Sequence, residues 1–129
     1  MKNKLFIIFI IIFFNSVFFK AYSADVFNFD ITEIQISENG NKFIGSKRGT
    51  IKSEDGILIK ADQFEYDKKL NILKAFDGLA YLKSDNIKIE FDEIIIDQNK
   101  SLISTKNETK IIDLEEKISL QTEFVSYDV

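Results

Sequence analysis

From residue 27 onward, apolar and polar residues alternate with a period of two, and the phase of the alternation changes once within each apolar segment. In one such segment Ile57, Ile59 and Ala61 hold odd positions, whereas Phe64 and Tyr66 hold even ones. Strict alternation is typical of a strand with one buried face. A phase change would turn every later side chain outward unless a bulge or bend absorbs one extra residue. The pattern therefore predicts a bent β-strand.

The same segment recurs along the chain at an interval of about 30 residues, and such internal repeats are best interpreted before local structure. The four copies begin at Phe27, Ile57, Ile87 and Ile118. Each copy changes phase at the same place, which is Thr32-Glu33, Asp62-Gln63, Asp92-Glu93 or Glu123-Phe124. A polar turn and a second apolar segment follow the first three copies, which indicates hairpins. The repeat predicts four equivalent bent strands.

Short polar segments with glycine supply further turn candidates, namely Lys47-Arg48-Gly49, Glu54-Asp55-Gly56 and Asp77-Gly78. Residues 107–117 hold the best helical pattern, but their β-branched residues favour a strand or a loop. We therefore expect an all-β fold in which each unit is a strand, a turn, a second strand and a second turn.

The first 23 residues have the pattern of a secretory signal peptide. Two lysines precede an apolar run at residues 5–14, and Ala21 and Ser23 supply the small residues before a cleavage site at Ala24. The run is shorter than the roughly 20 residues that a membrane-spanning helix needs. An uncleaved anchor, prolonged by residues 17–19, is the alternative. We expect residues 24–129 to form one exported domain.

The charge and the composition argue against several classes of function. Without the signal peptide the chain holds 14 basic and 21 acidic groups, a net charge of −7, which disfavours nucleic acid as a partner. It has no cysteine for a disulfide and no histidine, which is the commonest general base and a frequent metal ligand. The serines lack a glycine-flanked elbow, and the acids form no cluster with aromatic platforms. We expect no enzymatic activity, no cofactor and no metal.

The acids at the phase changes, Asp62, Asp92 and Glu123, would recur in space if the units stack. A stacked ladder of carboxylates could bind calcium. The favoured alternative is that these side chains satisfy backbone groups where strand pairing is disrupted. Five glycines in the whole chain are too few for a calcium-binding β-roll.

Stacked strand pairs with one apolar face predict a β-jellyroll or an open sandwich of two sheets, and a right-handed β-solenoid is the alternative. Residues 61–69 and 73–80 resemble the repeat of the OstA-like lipopolysaccharide transport family. In that family A-D-x-x-x-Y-D, a turn and A-x-G-x-V recur along the chain. The resemblance covers the chain after the signal peptide. Its departures are Phe91 for the alanine, Ile96 for the tyrosine, and Phe76-Asp77, which lengthen the glycine turn.

The resemblance implies a twisted, open, V-shaped β-jellyroll of stacked units. It also implies a periplasmic module that binds lipopolysaccharide and passes its acyl chains toward the outer membrane. The family includes a soluble bridge protein, an inner-membrane adaptor and the periplasmic domain of the outer-membrane assembly protein. A cleavable signal peptide argues against the adaptor. Because the last copy stops at Val129 before a hairpin partner, we expect an incomplete domain from the assembly protein rather than a complete bridge.

The resemblance further implies that an inward apolar stripe lines the lipid groove. The stripe consists of Phe29, Ile31, Ile34, Ile36, Ile59, Phe64, Tyr66, Ile89, Phe91, Ile94, Ile96 and Leu120. The alternative is that these residues fill a closed core, as they would in any β protein.

Two kinds of partner follow from the resemblance: lipopolysaccharide, held by its acyl chains, and other OstA-like jellyrolls, joined edge to edge by unpaired strands. The alternative function is a structural β-solenoid or adhesin-type repeat with a closed core and no lipid. An outer-membrane barrel fragment is disfavoured, because barrel strands alternate over about ten residues and the phase here breaks after five.

Overall fold

The computed structural model describes residues 27–128, which form one antiparallel sheet of ten strands. The strands are β1 (Phe27–Ile31), β2 (Ile34–Ser37), β3 (Lys42–Gly45), β4 (Gly49–Ser53), β5 (Ile57–Asp67), β6 (Ile72–Leu82), β7 (Ile87–Asp97), β8 (Leu102–Asp113), β9 (Ser119–Thr122) and β10 (Ser126–Asp128). A three-residue 3-10 turn, Glu38–Gly40, connects β2 and β3. The expected all-β class is confirmed for this range. The signal peptide and its cleavage site lie outside the described residues.

Four long strands, β5 to β8, give the sheet two halves that we call arms. The first half of β5 pairs with β4 and its second half pairs with β3, because the strand bends at Asp62. The first arm contains β1, β4, β9 and residues 57–61, 78–82, 87–91 and 109–113 of the long strands. The second arm contains β2, β3, β10 and residues 63–67, 72–76, 93–97 and 102–106.

The phase change in the sequence makes both arms bury the same face of the sheet. In β5 the odd residues from Ile57 to Ala61 are buried, and after the bend the even residues Phe64 and Tyr66 are buried. In β7 burial likewise passes from Ile89 to Ile94 across the bend at Asp92. At the outer copies the strand is interrupted, so that β1 and β2 lie in different arms, as do β9 and β10.

The turn expected at Asp77-Gly78 is wrong, because these residues lie in the middle of β6. Asp77 has a φ of 53° and marks another bend, at which burial passes from odd to even residues. The pairing of Ala61 with Gly78 and of Gln63 with Phe76 places this bend beside that of β5. Hydrogen-bonded neighbours must turn at the same level, so the second strand of each hairpin bends too.

In β8 a bulge replaces the simple bend. Phe91 pairs with Thr109 and Glu93 pairs with Lys106, which leaves two residues of β8 opposite Asp92. The carboxylate of Asp92 accepts a hydrogen bond from the backbone N–H of Glu108 at 3.2 Å. This bond compensates for the ladder interrupted by the bulge. The expectation that residues 107–117 are not helical is confirmed, since β8 extends to Asp113.

Aspartates at strand ends define three hairpin turns. Asp67, Asp97 and Asp113 each accept hydrogen bonds from the backbone N–H groups two and three residues later, at 2.8–3.2 Å. Aspartate stabilises turns by such bonds. The turns are therefore encoded by residues adjacent in sequence.

The two arms face each other over one core. The Phe27 ring of the first arm lies edge-on to the Tyr66 ring of the second arm, with centroids 5.3 Å apart. Buried residues of both arms form a single apolar cluster. The sheet is not closed, because β1 and β2 at one edge and β9 and β10 at the other pair on one side only. Within residues 27–128 no helix has the length and apolar character needed to cross a membrane.

Gly78 lies at the closest approach of β5 and β6. A Cβ added there would stand 2.2 Å from the carbonyl oxygen of Lys60 and 2.7 Å from the Ala61 Cα. Backbone atoms cannot yield as a side chain can, so this contact requires glycine. At Gly45, by contrast, the tight contact of an added Cβ would be with the Ile31 side chain, at 3.1 Å, while the Phe64 Cβ would lie at an ordinary contact distance of 3.6 Å.

We expect Gly78→Ala to lower the free energy of unfolding by about 3 kcal/mol, the upper range for overpacking a core. The matched control, Gly45→Ala, is expected to cost less than about 1 kcal/mol, because the Ile31 side chain can move. Urea denaturation followed by circular dichroism measures both. Equal losses would show that the approach at Gly78 is not a steric constraint.

Candidate functional site: the interior between the arms

Seven of the twelve residues predicted to line the groove lie in the interior and are buried. They are Ile59, Phe64, Tyr66, Ile89, Phe91, Ile94 and Ile96. Tyr66 is the most exposed of them, at 8%. They belong to one apolar cluster with residues of the neighbouring strands. In this conformation, side chains from both arms fill the interior.

The other five predicted residues lie on the outermost strands. Phe29 and Ile31 of β1 are half-buried and pack against the core. Ile34 and Ile36 of β2 and Leu120 of β9 lie on the inward face. Each pairs with a residue of the next strand that in turn pairs with a buried residue, which is Phe64, Tyr66 and Ile89, respectively. They are nevertheless 39%, 61% and 59% exposed, because no further strand covers them. The apolar stripe thus continues from the core to both open edges.

Sequence analysis missed the interior residues on the second strand of each hairpin. Leu73, Ala75, Ala80 and Leu82 of β6 are buried, as is Ile103 of β8. Their signal was present in the sequence, as alternation that changes phase at Asp77. The interpretation of Asp77-Gly78 as a turn concealed it.

The interior is almost entirely apolar. Among the described residues the buried polar side chains are the hydroxyls of Thr105 and Thr109. Thr105 Oγ1 accepts a hydrogen bond from the N–H of Val125 at 3.1 Å, and Thr109 Oγ1 donates to the carbonyl of Asn107 at 3.3 Å. An interior of this kind can enclose apolar groups and offers no charged group to bind an ion.

The free ends of the arms meet at an opening that we call the mouth, bordered by the turns at residues 54–56 and 83–86 of the first arm and 68–71 and 98–101 of the second. At its β1 end, aromatic rings close the mouth. Tyr66 contacts Phe27, Phe29 and Phe43, with centroids 5.3 to 6.0 Å apart. Such pairs stabilise a contact beyond their buried area. The β1 end is therefore an apolar seal.

A small cavity of about 180 Å³ lies in the middle of the mouth. Its apolar lining comes from Ile57 of the first arm and from Ile96 and Leu102 of the second. Asp55, Asp97, Gln98 and Ser101 line it as well. The lining is therefore mixed, with apolar side chains from the strands and polar groups mainly from the turns. The space suffices for a short apolar group but not for an acyl chain.

At its β10 end, Tyr127 closes the mouth with a ring that packs against the core and a phenol that reaches the first arm. The phenol of Tyr127 in β10 donates a hydrogen bond to the carboxylate of Asp85 in the β6–β7 turn. This bond joins the arms, since β10 pairs with β8 in the second arm and Asp85 belongs to the first. It raises the pKa of the Tyr127 phenol above its usual value, and desolvation and the charge of Asp85 act in the same direction.

The acids at the bends make local contacts. Asp62 pairs with Arg48 at 2.7 Å, and Asp92 binds the backbone of the bulge. The contact of Asp92 is of the kind expected from the favoured alternative to a calcium ladder, whereas Asp62 pairs with a side chain instead of the backbone. Between residues 27 and 128, no group of three or more acidic, histidine or cysteine side chains is placed to hold a metal ion.

The outer face of the first arm carries charges that remain in contact with water. Lys88 and Glu90 of β7 form an ion pair at 2.7 Å. Their hydrogen bond raises the pKa of Lys88 and lowers the pKa of Glu90. The outer face therefore carries charged side chains, which the interior lacks within residues 27–128.

No family model matches this sequence, and the comparison with curated proteins finds no match either.

We expect Ile94→Ala to lower the free energy of unfolding by about 2–4 kcal/mol, because Ile94 is fully buried and the smaller side chain leaves a cavity. The control, Ile36→Ala, removes the same atoms from an exposed inward position and is expected to cost less than about 1 kcal/mol. Chemical denaturation measures both. A similarly small loss at Ile94 would indicate that the arms are splayed in solution and that Ile94 lines an open groove.

Proposed function

We propose that this chain is an OstA-like module of the bacterial periplasm that binds lipopolysaccharide by its acyl chains and passes them toward the outer membrane. The observation that carries the proposal is the continuity of the apolar stripe. It runs from Ile34 and Ile36 at one open edge, through the interior, to Leu120 at the other. A path for a lipid needs an apolar face that reaches both ends.

The exposed inward residues at the edges also favour a carrier over a purely structural sheet. Edge strands are commonly protected by charged or inward-pointing polar residues, because exposed apolar edges lead to aggregation. Here the inward positions of β2 are isoleucines, and those of β9 are Leu120, close to exposed Ile118, and the uncharged Thr122. Apolar side chains at these positions fit an apolar stripe that continues onto a neighbouring module.

Without such a module, the transfer of a lipid through water would cost a large amount of free energy. Transfer of each CH₂ group into water costs roughly 0.8 kcal/mol, so a chain of about twelve carbons costs on the order of 10 kcal/mol. An interior without charged side chains removes this cost while the lipid is bound. The expected net charge of −7 does not favour phosphate head groups. The acyl chains are therefore the proposed contact.

We infer that the bent sheet is a V-shaped β-jellyroll built from the repeat found in the sequence. The bends support this inference, since Asp62, Asp77 and Asp92 follow one another at intervals of 15 residues. Two such intervals make one repeat of about 30 residues, which corresponds to one hairpin with a bend in each strand. A right-handed solenoid is disfavoured, because adjacent strands here are antiparallel.

The open edges support a second part of the proposal, which is assembly with similar modules. Among the strands of residues 27–128, β1 and β2 at one edge and β9 and β10 at the other have a paired neighbour on one side only. Such edges can pair with another chain by β-augmentation. Pairing would join the apolar interiors of consecutive modules into one path.

A structural repeat with a closed core is the second candidate, and one observation favours it. The interior residues are packed against each other, with Ile94 and Leu73 fully buried. A sheet that serves only for stiffness would have such a core. The two candidates differ in whether lipid reaches the inward face.

A photo-crosslinking residue placed at Ile36 or Leu120 tests contact with lipid on the inward face. Irradiation of the purified protein with lipopolysaccharide is expected to give adducts at both positions, detected as a mass shift. Gln35 and Gln121 are the matched controls, because each neighbours a test position on the same strand but faces outward. Equal adducts at inward and outward positions, or none at the inward ones, would support the structural repeat.

Association through the edges is tested by Leu120→Lys, which puts an inward-pointing charge on β9. If one copy pairs its β9 edge with the β1 edge of the next, the protein is expected to form concentration-dependent oligomers that this substitution weakens about ten-fold or more. Gln121→Lys adds the same charge to the outward face and should leave association unchanged. Sedimentation velocity measures the oligomers, and a wild-type protein that stays monomeric at high concentration would contradict the edge model.

A further inference from the structure

An acyl chain cannot enter the interior in the conformation described here. Buried side chains of both arms fill the interior, and the cavity at the mouth holds about 180 Å³. At the bends, the two arms are joined by the continuous, hydrogen-bonded strands β5, β6 and β7, so the arms cannot separate there. An opening therefore has to form at the mouth, where the arms contact each other through side chains.

The two ends of the mouth are closed by contacts of different kinds. At the β1 end, Phe27 is buried and Tyr66 contacts three aromatic rings. Separation of the arms there would expose all of these rings to water. At the β10 end, separation breaks the hydrogen bond between Tyr127 and Asp85, whose groups can then bond to water, and it exposes one partly buried ring, that of Tyr127, which packs against the core. The β10 end opens at the lower cost.

The cavity at Ile57, Ile96 and Leu102 lies in the middle of the mouth and leaves the packing there incomplete. An opening that begins at the β10 end would reach this gap next.

We propose that the arms open at the β10 end by rotation about the bends, that the Tyr127–Asp85 contact is the latch, and that the gap admits one alkyl chain of a lipid. The aromatic contacts at the β1 end stay closed and keep the arms together. Ile57, Ile96 and Leu102 are the first side chains that the alkyl chain contacts. The identity of the chain as a lipid alkyl group rests on the proposed function, whereas the position of the opening rests on the contacts at the mouth.

The test measures the separation of the arms at both ends by double electron–electron resonance. Because the protein has no cysteine, pairs of cysteines can carry spin labels without further substitution. Lys83→Cys with Lys100→Cys reports the β10 end, and Glu54→Cys with Lys69→Cys reports the β1 end. All four residues are exposed and lie in the turns that border the mouth.

Tyr127→Phe is expected to raise the population of wide Lys83–Lys100 distances about two- to ten-fold, the factor that loss of one hydrogen bond produces. The Glu54–Lys69 distances should not change. Tyr81→Phe is the matched control, because it removes a phenol from the outward face of β6, and it should change neither distance. Widening at both ends, or at neither, would overturn the proposed latch.

Dodecanoate is then added to the Tyr127→Phe protein as a single-chain probe. A further increase in the wide population at the β10 end supports admission of an alkyl chain. If Tyr127→Phe widens the β10 end but dodecanoate has no effect, the latch is supported and the proposed lipid-binding function is contradicted. The two failures are therefore distinguishable.

Discussion

The alternation of side chains along a strand is the constraint on which this structure depends. A strand that bends to serve two arms must shift its alternation by one residue, or its second half would expose its apolar side chains. Because neighbouring strands are hydrogen-bonded, the shift must occur in all of them at one level. In β5, β6 and β7 the shift occurs at Asp62, Asp77 and Asp92, and in β8 it occurs at a bulge of two residues. The interior, the mouth and the open edges all follow from this line of bends.

Much of this arrangement could be predicted from sequence, since the bends at Asp62 and Asp92 follow from a visible phase change. The bend at Asp77 was missed because an aspartate followed by glycine has the composition of a turn. Exposure was harder to predict: Ile36 and Ile94 are both isoleucines on the inward stripe, yet only Ile94 has strands on both sides. The Tyr127–Asp85 contact joins residues 42 positions apart and has no local signal.

A filled interior is compatible with the proposed carrier function, because the apolar face of each arm can contact either the other arm or a lipid chain. Without lipid, apolar faces of two arms remove each other from water, and the arms approach until side chains interdigitate. A bound alkyl chain would replace arm–arm contacts with arm–chain contacts of similar character. The free energy of binding is then a difference between two apolar contacts, which keeps affinity moderate and allows release. In a groove that is always open, lipid binding would not replace contacts between the arms, so this compensation would be absent. The exposed apolar stripe would also promote aggregation.

The turns set by Asp67, Asp97 and Asp113 have a consequence for how such a protein can change in size. Each hairpin carries its own turn residue and its own bends within one stretch of about 30 residues, so a tandem duplication would add a complete hairpin. Strands lie about 4.8 Å apart, so each duplication would lengthen the interior by about 10 Å while leaving its cross-section unchanged. Under the proposed function, the length of the path and the selectivity for the lipid would therefore be independent of each other.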